Sequence, residues 1–255
     1  MRLPLLAAVL STLPALAQVP ASHWNVDLGL FGPTFDGHYE DASKPERFDL
    51  SSDLGLAKDG AKPGLGIEYN GPRFGLRLSM DAQDYKGSRR LNREITIDNK
   101  KFGPGSSVDS TLKLTAYDLN WTIRVYRWEQ AWVGVDLGIH AWNLDMKVRG
   151  TDAATGVYRD AGTSIPVPIP QLGLSVGGNF LNGQITTRGS YHFLSRSGAT
   201  YTRLTADVRY FPLNWVGARL FIEKEGFDFP KGSVNDDVDA KLDRDGVGFG
   251  VVFRF

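Results

Sequence analysis

From Trp24 onward, apolar and polar residues alternate with a period of two, the spacing that puts apolar side chains on one face of a β-strand. The clearest stretch is the last: Val247, Phe249, Val251, Phe253 and Phe255 alternate with Gly248, Gly250, Val252 and Arg254. The same rhythm carries Leu76, Leu78 and Met80, then Leu119, Trp121 and Ile123, then Val133, Val135, Leu137 and Ile139. Counting back from Phe255, turn signals divide the chain into about ten strands. They fall near 24–36, 61–70, 73–97, 106–127, 131–149, 165–180, 183–195, 199–211, 215–229 and 245–255.

Every second connection is short and carries tight-turn chemistry: Asn70-Gly71-Pro72, Trp128-Glu129-Gln130, Leu181-Asn182-Gly183 and Pro212-Leu213-Asn214. Most of the others are longer, near 37–60, 98–105, 150–164 and 230–244, and only 196–198 is short. A soluble sheet ending on such an apolar strand would expose an edge that invites aggregation. A closed transmembrane barrel pairs its last strand with its first and leaves no edge. The pattern therefore predicts an all-β protein, an antiparallel up-and-down transmembrane β-barrel with short turns at one end and long loops at the other. Aromatics beside the short turns predict an interfacial girdle: Trp24, Tyr69, Phe74, Trp128, Trp132, Phe180, Tyr210, Phe211, Trp215 and Phe255.

Composition agrees. No apolar run reaches the roughly 20 residues of a spanning helix, and a mean hydropathy of −0.24 suits strands whose alternate residues face a polar lumen. Arg2, the apolar run Leu3–Leu13 and Ala15-Leu16-Ala17 read as a secretory signal peptide over residues 1–17, leaving 18–255 as one barrel domain. The absence of cysteine fits export through an oxidising compartment and excludes thiol chemistry. With 29 basic and 29 acidic residues, nothing points to a nucleic-acid partner. The four histidines lack metal-ligand spacing, and no motif calls for a cofactor.

The ending on Phe255 resembles the C-terminal signature of bacterial outer-membrane β-barrels. The resemblance implies an assembly signal over Phe249, Val251, Phe253 and Phe255, read by the barrel-assembly machinery. It also implies residence in the outer membrane of a Gram-negative-type bacterium, among its lipid and lipopolysaccharide.

If the apolar parity faces lipid, the other faces the lumen. That predicts an inward ion network of Glu68, Arg77, Asp81, Asp118, Arg124, Asp136, His140, Arg188, Asp207, Arg219 and Glu223, with Asp27, His192, Arg203 and Arg209. Glu68 with Arg77, and Asp207 with Arg219, are the expected cross-strand pairs. A barrel this small is largely filled by side chains, so the network is expected to brace the wall and at most to leave a thin path for solutes.

Two enzyme families offer comparisons. Omptin proteases are similar in strand number and carry Asp and His two apart on one strand. The expected counterpart in this chain is Asp136 and His140, four apart, and no such aspartate is expected for His23 or His38. Outer-membrane lipid A deacylases are similar in size and carry His-x-Ser. In this chain His192 and Ser195 stand three apart and point to opposite faces. Neither pattern is met, and no catalytic residue is assigned.

Three outer features complete the sequence. Asp49 is placed to cap a single helical turn ending at Gly55, with Leu50 and Leu54 on the face that folds over the barrel mouth. Asp228, Asp236, Asp237, Asp239, Asp243 and Asp245 read as solvated loop charge. In Ile165-Pro166-Val167-Pro168-Ile169-Pro170, three prolines two apart remove successive donors from one inter-strand seam. The same parity turns Ile165, Val167 and Ile169 inward. Pro166, Pro168 and Pro170 thus mark a candidate lateral opening beside an apolar patch. The alternative is an extended stretch above the membrane paired with nothing.

The functional expectation is a small outer-membrane barrel with a structural role or narrow passage for small or amphiphilic solutes. Its alternatives are an enzyme at the outer rim and an adhesin using the long loops.

Overall fold

The computed structural model describes residues 22–41, 44–58, 61–97, 100–196, 198–230 and 238–255. The signal peptide, Asp236 and Asp237 lie outside the described residues. The first strand β1 (His23–Phe31) is followed by an outer pair, β2 (Thr34–Asp41) and β3 (Lys44–Asp49), and by the brief β4 (Ala57–Lys58). β5 (Lys62–Asn70) and β6 (Phe74–Arg90) return to the wall, and β7 (Ile95–Ile97) with β8 (Lys100–Phe102) form a small outer hairpin. Next come the long strands β9 (Ser107–Arg127), β10 (Ala131–Thr151) and β11 (Tyr158–Phe180). β12 (Ile185–Arg196), β13 (Ala199–Leu213), β14 (Val216–Phe229) and β15 (Val238–Arg254) complete the chain.

Ten of these strands form a ring in the order β1, β5, β6, β9, β10, β11, β12, β13, β14, β15, and β15 pairs antiparallel with β1. Trp24 and Phe255 exchange backbone hydrogen bonds of 3.0 and 2.9 Å, so the ladder is closed down to the final residue. Outward-pointing Leu78, Leu174 and Phe249 are more than half exposed, each inside a belt of similar residues. In water that belt would be unsustainable; in hydrocarbon it is the required surface. The short turns all lie at one end. At Leu181–Gly183 the chain makes a single tight turn, with positive φ at Leu181, Asn182 and Gly183.

Two members of the expected girdle turn the other way. Trp132 and Phe211 are buried on the lumen side, under the guanidinium groups of Arg124 (4.7 Å) and Arg254 (3.5 Å). Their parity, rather than their distance from a turn, decides the face.

Above the belt the wall continues well past the expected boundaries. Much of the presumed loops at 37–60, 150–164 and 230–244 is strand: β2 and β3, the ends of β10 and β11, and the start of β15. Alternation persists there but changes phase. On β9, Asp118, Asn120 and Thr122 point inward below the switch while Leu119 and Trp121 point out. Above it, Val108, Leu112 and Leu114 are buried inside, and Asp109 and Lys113 are exposed. On β10 the inner face likewise passes from Asp136 and His140 to Trp142, Met146 and Val148. The register between β9 and β10 is continuous through this switch, so no inserted residue causes it. The outside medium has changed from lipid to water, and the buried face has become the core of an ordinary β-barrel.

The first loop closes over that core. Asp49 accepts hydrogen bonds from the Ser51 and Ser52 amides at 3.0 and 2.6 Å, and the Asp53 carboxylate accepts from the Asp49 amide at 2.8 Å. Gly55 takes φ +65°, a conformation that costs other residues energy, and Leu56 N–H then reaches Leu50 O at 3.2 Å. The turn buries Leu50 and Leu54 in the outer apolar cluster, beside Phe48, Tyr85 and Leu114. Burial pushes the Asp49 carboxyl up, but the amides and hydroxyls of Ser52 and Ser51 outweigh it and hold the group below its ordinary value.

Candidate functional site

The lumen is stratified. At the level of the inner half of the membrane, four carboxylates meet four guanidinium groups. Glu68 faces Arg209 at 2.6 Å, Arg77 at 3.4 Å and Arg188 at 3.4 Å. Asp207 faces Arg219 at 3.0 Å and Arg209 at 3.2 Å, and Asp27 faces Arg77 at 3.2 Å. Asp136 lies 3.4 Å from Arg188 and 3.3 Å from His192, and accepts from Thr122 and Ser175 at 2.6 and 2.9 Å. Both cross-strand pairs named from the sequence, Glu68 with Arg77 and Asp207 with Arg219, are in contact. Arg124 sits lower, donating to Asn70 at 2.8 Å and to the Gly71 carbonyl.

A second cluster sits above the first. Arg203 reaches Glu223 at 2.7 Å and also Asp118; Arg244 bonds Asp81 at 2.8 Å and Glu223 at 3.1 Å. His140 is wedged between Asp118 at 3.2 Å and Glu225 at 3.0 Å. Trp142 donates to His140 at 2.5 Å, Tyr201 donates to Glu225 at 2.7 Å, and Gln171 donates to Tyr201 at 2.9 Å. Glu225 and Arg244 were not named from the sequence, although their parity on β14 and β15 matches that of Glu223 and Arg254. These two layers fill the middle of the barrel. Among the described residues, a void of only about 100 Å³ lies between them, and a vestibule of about 340 Å³ opens below.

Above the upper cluster the lumen becomes apolar and widens into a cavity of about 680 Å³, within the range of small-molecule sites. Val167 and Ile169 of β11, Leu112 of β9, Leu144 and Met146 of β10, and Phe227 of β14 line it, and Leu50 closes it from the first loop. The outward-facing Pro166, Pro168 and Pro170 line it as well. The border of the cavity therefore runs along this proline-bearing segment of β11.

The pairing shows that this border is a strand edge. β11 is in register with β10 along its whole length, with Pro170 opposite Ile139 and Pro166 opposite Asn143. Toward β12 the register runs from Phe180 opposite Ile185 up to Leu172 opposite Phe193, and among the described residues it ends there. Successive residues of a strand direct their N–H groups to opposite neighbours. Since the β10 side remains laddered, the donors missing at the three prolines face β12. The segment is therefore wall rather than a free loop. Pro170 is level with the exposed Ile139, at the upper border of the apolar belt. The Ile165 side chain lies outside the described residues.

Histidine chemistry at the rim takes a form not expected from the sequence. Asp36 and His38 stand two apart on β2, the spacing that Asp136 and His140 lack, and the Asp-Gly-His triplet was there to be read. His38 does have an aspartate partner, Asp239 of β15, at 3.1 Å from Nε2, and Arg47 lies 2.9 Å from Nδ1. Both ring nitrogens are thus engaged, and Asp36 bonds instead to the Gly37 amide at 2.9 Å and to Ser51 at 3.2 Å. His192 is likewise held away from Ser195, by Asn120 at 2.9 Å and by Asp136. Of the outer acids, Asp228, Asp239, Asp243 and Asp245 lie on β14 and β15 rather than in a loop, and Asp245 accepts from Thr34 at 2.5 Å.

No known protein-family pattern matches the chain, and no curated protein matches it by sequence. Among solved structures it is similar to the outer membrane protease OmpT of Escherichia coli, at 11% identity and a TM-score of 0.61. That match covers 96% of this chain and 100% of the protease. Weaker likenesses include Ail, the attachment invasion locus protein of Yersinia pestis (12% identity, TM-score 0.33, 91% of this chain and 99% of that one). Another is the toluene transporter TodX of Pseudomonas putida (8% identity, TM-score 0.34, 91% of this chain and 89% of that one). The closed ring of ten strands, its apolar belt and the match to OmpT together make this chain a small β-barrel of the bacterial outer-membrane type.

Proposed function

We propose that this barrel carries apolar or amphiphilic small molecules between the outside medium and the membrane. Its outer cavity receives them, and the β11–β12 seam passes them sideways. The observation that supports this reading is an apolar cavity bordered by the proline-bearing edge of β11, where the ladder to β12 has ended among the described residues. The stacked ion layers below it favour lateral release, because a molecule descending the lumen would have to part buried charges from their partners at several kcal/mol each. A strand edge without its ladder needs no such rupture.

A cysteine at Pro170 and another at Ser195, the residue that would oppose it if the ladder continued, lock the seam when oxidised. The assay is transfer of a fluorescent amphiphile from the medium into vesicles carrying the barrel. Oxidation is expected to reduce transfer to the rate of protein-free vesicles, and reduction to restore it. Undiminished transfer through the locked barrel overturns the reading.

A further inference from the structure

We infer that the cavity selects amphiphiles bearing one anionic head group, held by Arg196 at its mouth; this rests on the carrier reading above. The described lining contains a single charged side chain, Arg196, and no carboxylate. Arg196 ends β12, three residues past the last rung shared with β11, where the seam stands open. Its parity is that of the inward-facing His192 and Leu194, yet it is exposed, so its guanidinium belongs to the mouth and not to the apolar depth. Thr163 and Thr200 line the cavity as well and supply hydroxyls. The deeper wall offers only hydrocarbon and rings: Leu112, Ile169 and Phe227.

Head and tail are thereby oriented. A carboxylate, sulfate or phosphate on a single chain meets a guanidinium at the rim, where charge-assisted bonding is strong and the head stays partly wet. The chain then lies inward against the apolar wall. A cationic head would meet Arg196 without a compensating acid, and a neutral head would forgo the charged bond. Several acyl chains on a multiply charged head, as in lipopolysaccharide, match neither the single cation nor the cavity volume.

Binding is measured on wild type and Arg196→Gln in nanodiscs of zwitterionic lipid, with a long-chain fluorescent carboxylate and the alcohol of the same chain. Wild type is expected to prefer the carboxylate about tenfold, the worth of one hydrogen bond to a charged group. Arg196→Gln is expected to erase that preference while leaving the alcohol unaffected. Binding of both ligands with an unchanged ratio in the variant overturns the head-group assignment and leaves the carrier reading standing. Binding of neither by wild type overturns both. If the variant changes only the affinity for nanodiscs enriched in anionic lipid, Arg196 serves the bilayer surface and the inference fails.

Discussion

Arg209→Met removes the hub of the lower ion layer without removing its bulk. The Arg209 guanidinium contacts Glu68 at 2.6 Å, Asp207 at 3.2 Å and Asp27 at 3.4 Å, and all four residues are buried. Methionine fills part of the space but leaves four carboxylates, Asp136 included, facing three guanidinium groups. Stripping one partner from a buried ionic network costs about 3–5 kcal/mol. Arg77, Arg188 and Arg219 still hold the three acids that Arg209 abandons, so the low end, about 3 kcal/mol, is expected. Unfolding in urea, followed by tryptophan fluorescence in detergent micelles, reads this as a lowered midpoint at constant slope. The paired variant Glu68→Gln with Arg209→Met restores the charge balance, and is expected to be less destabilised than the two single losses summed. A single Arg209→Met variant within about 0.5 kcal/mol of wild type, the range of ordinary surface changes, would refute the claim that this layer braces the barrel.

Further perturbations address other levels. Ile169→Trp, which projects into the outer cavity, is expected to abolish amphiphile binding with a midpoint close to wild type; retained binding would place the site elsewhere. Cysteine probes at 77 and 78 should show water access only at the first, whereas at 113 and 114, above the phase switch, the outward residue 113 should label and the inward 114 should not. Asp49→Ala should cost the first-loop turn about 1 kcal/mol, the worth of an N-cap, seen as faster amide exchange at 50–54. Because the Asp49 carboxyl is held below its ordinary value of 3.8, its contribution is complete above that pH and disappears as pH falls through the lower folded value. Exchange in this turn should therefore accelerate, relative to the intrinsic rate, only below about pH 4, and not at all in the alanine variant.

The membrane-spanning part of this fold is legible in the chain because lipid imposes a strict rule on every second residue. Leu76, Leu78 and Met80 could face nothing but hydrocarbon, and their neighbours then had to be lumen groups. Turn chemistry at Asn70-Gly71 and Leu181-Asn182-Gly183 located one end equally well. The outer half was harder to read. Leu112, Leu114, Trp142 and Met146 fall inside the strands expected at 106–127 and 131–149 but reverse the phase of the alternation, and the strand stretches at 37–41, 44–49, 158–164 and 238–244 fall inside the expected loops. The ion pairs nearest a turn, Glu68 with Arg77 and Asp207 with Arg219, follow from counting residues. Contacts across the barrel do not, since Arg188 with Glu68 or Arg203 with Asp118 depend on barrel diameter and tilt. The missed His38 and Asp239 pair has the same origin, two strand ends far apart in sequence that meet only when the ring closes.

The change of phase at the membrane surface has a topographic consequence. Below that line the greasy face of the sheet looks outward; above it, the greasy face looks inward. On most of the circumference the two greasy faces are separated by the thickness of the wall. On the proposed route they join at the upper edge of β11, where the neighbouring ladder stops, around a row of proline rings, like the two sides of a ribbon given a half twist. A hydrocarbon chain following that ribbon never has to be wetted in transit, which spares it about 0.8 kcal/mol for each methylene that would otherwise re-enter water. On that route, one omitted seam turns two separate oily surfaces into one.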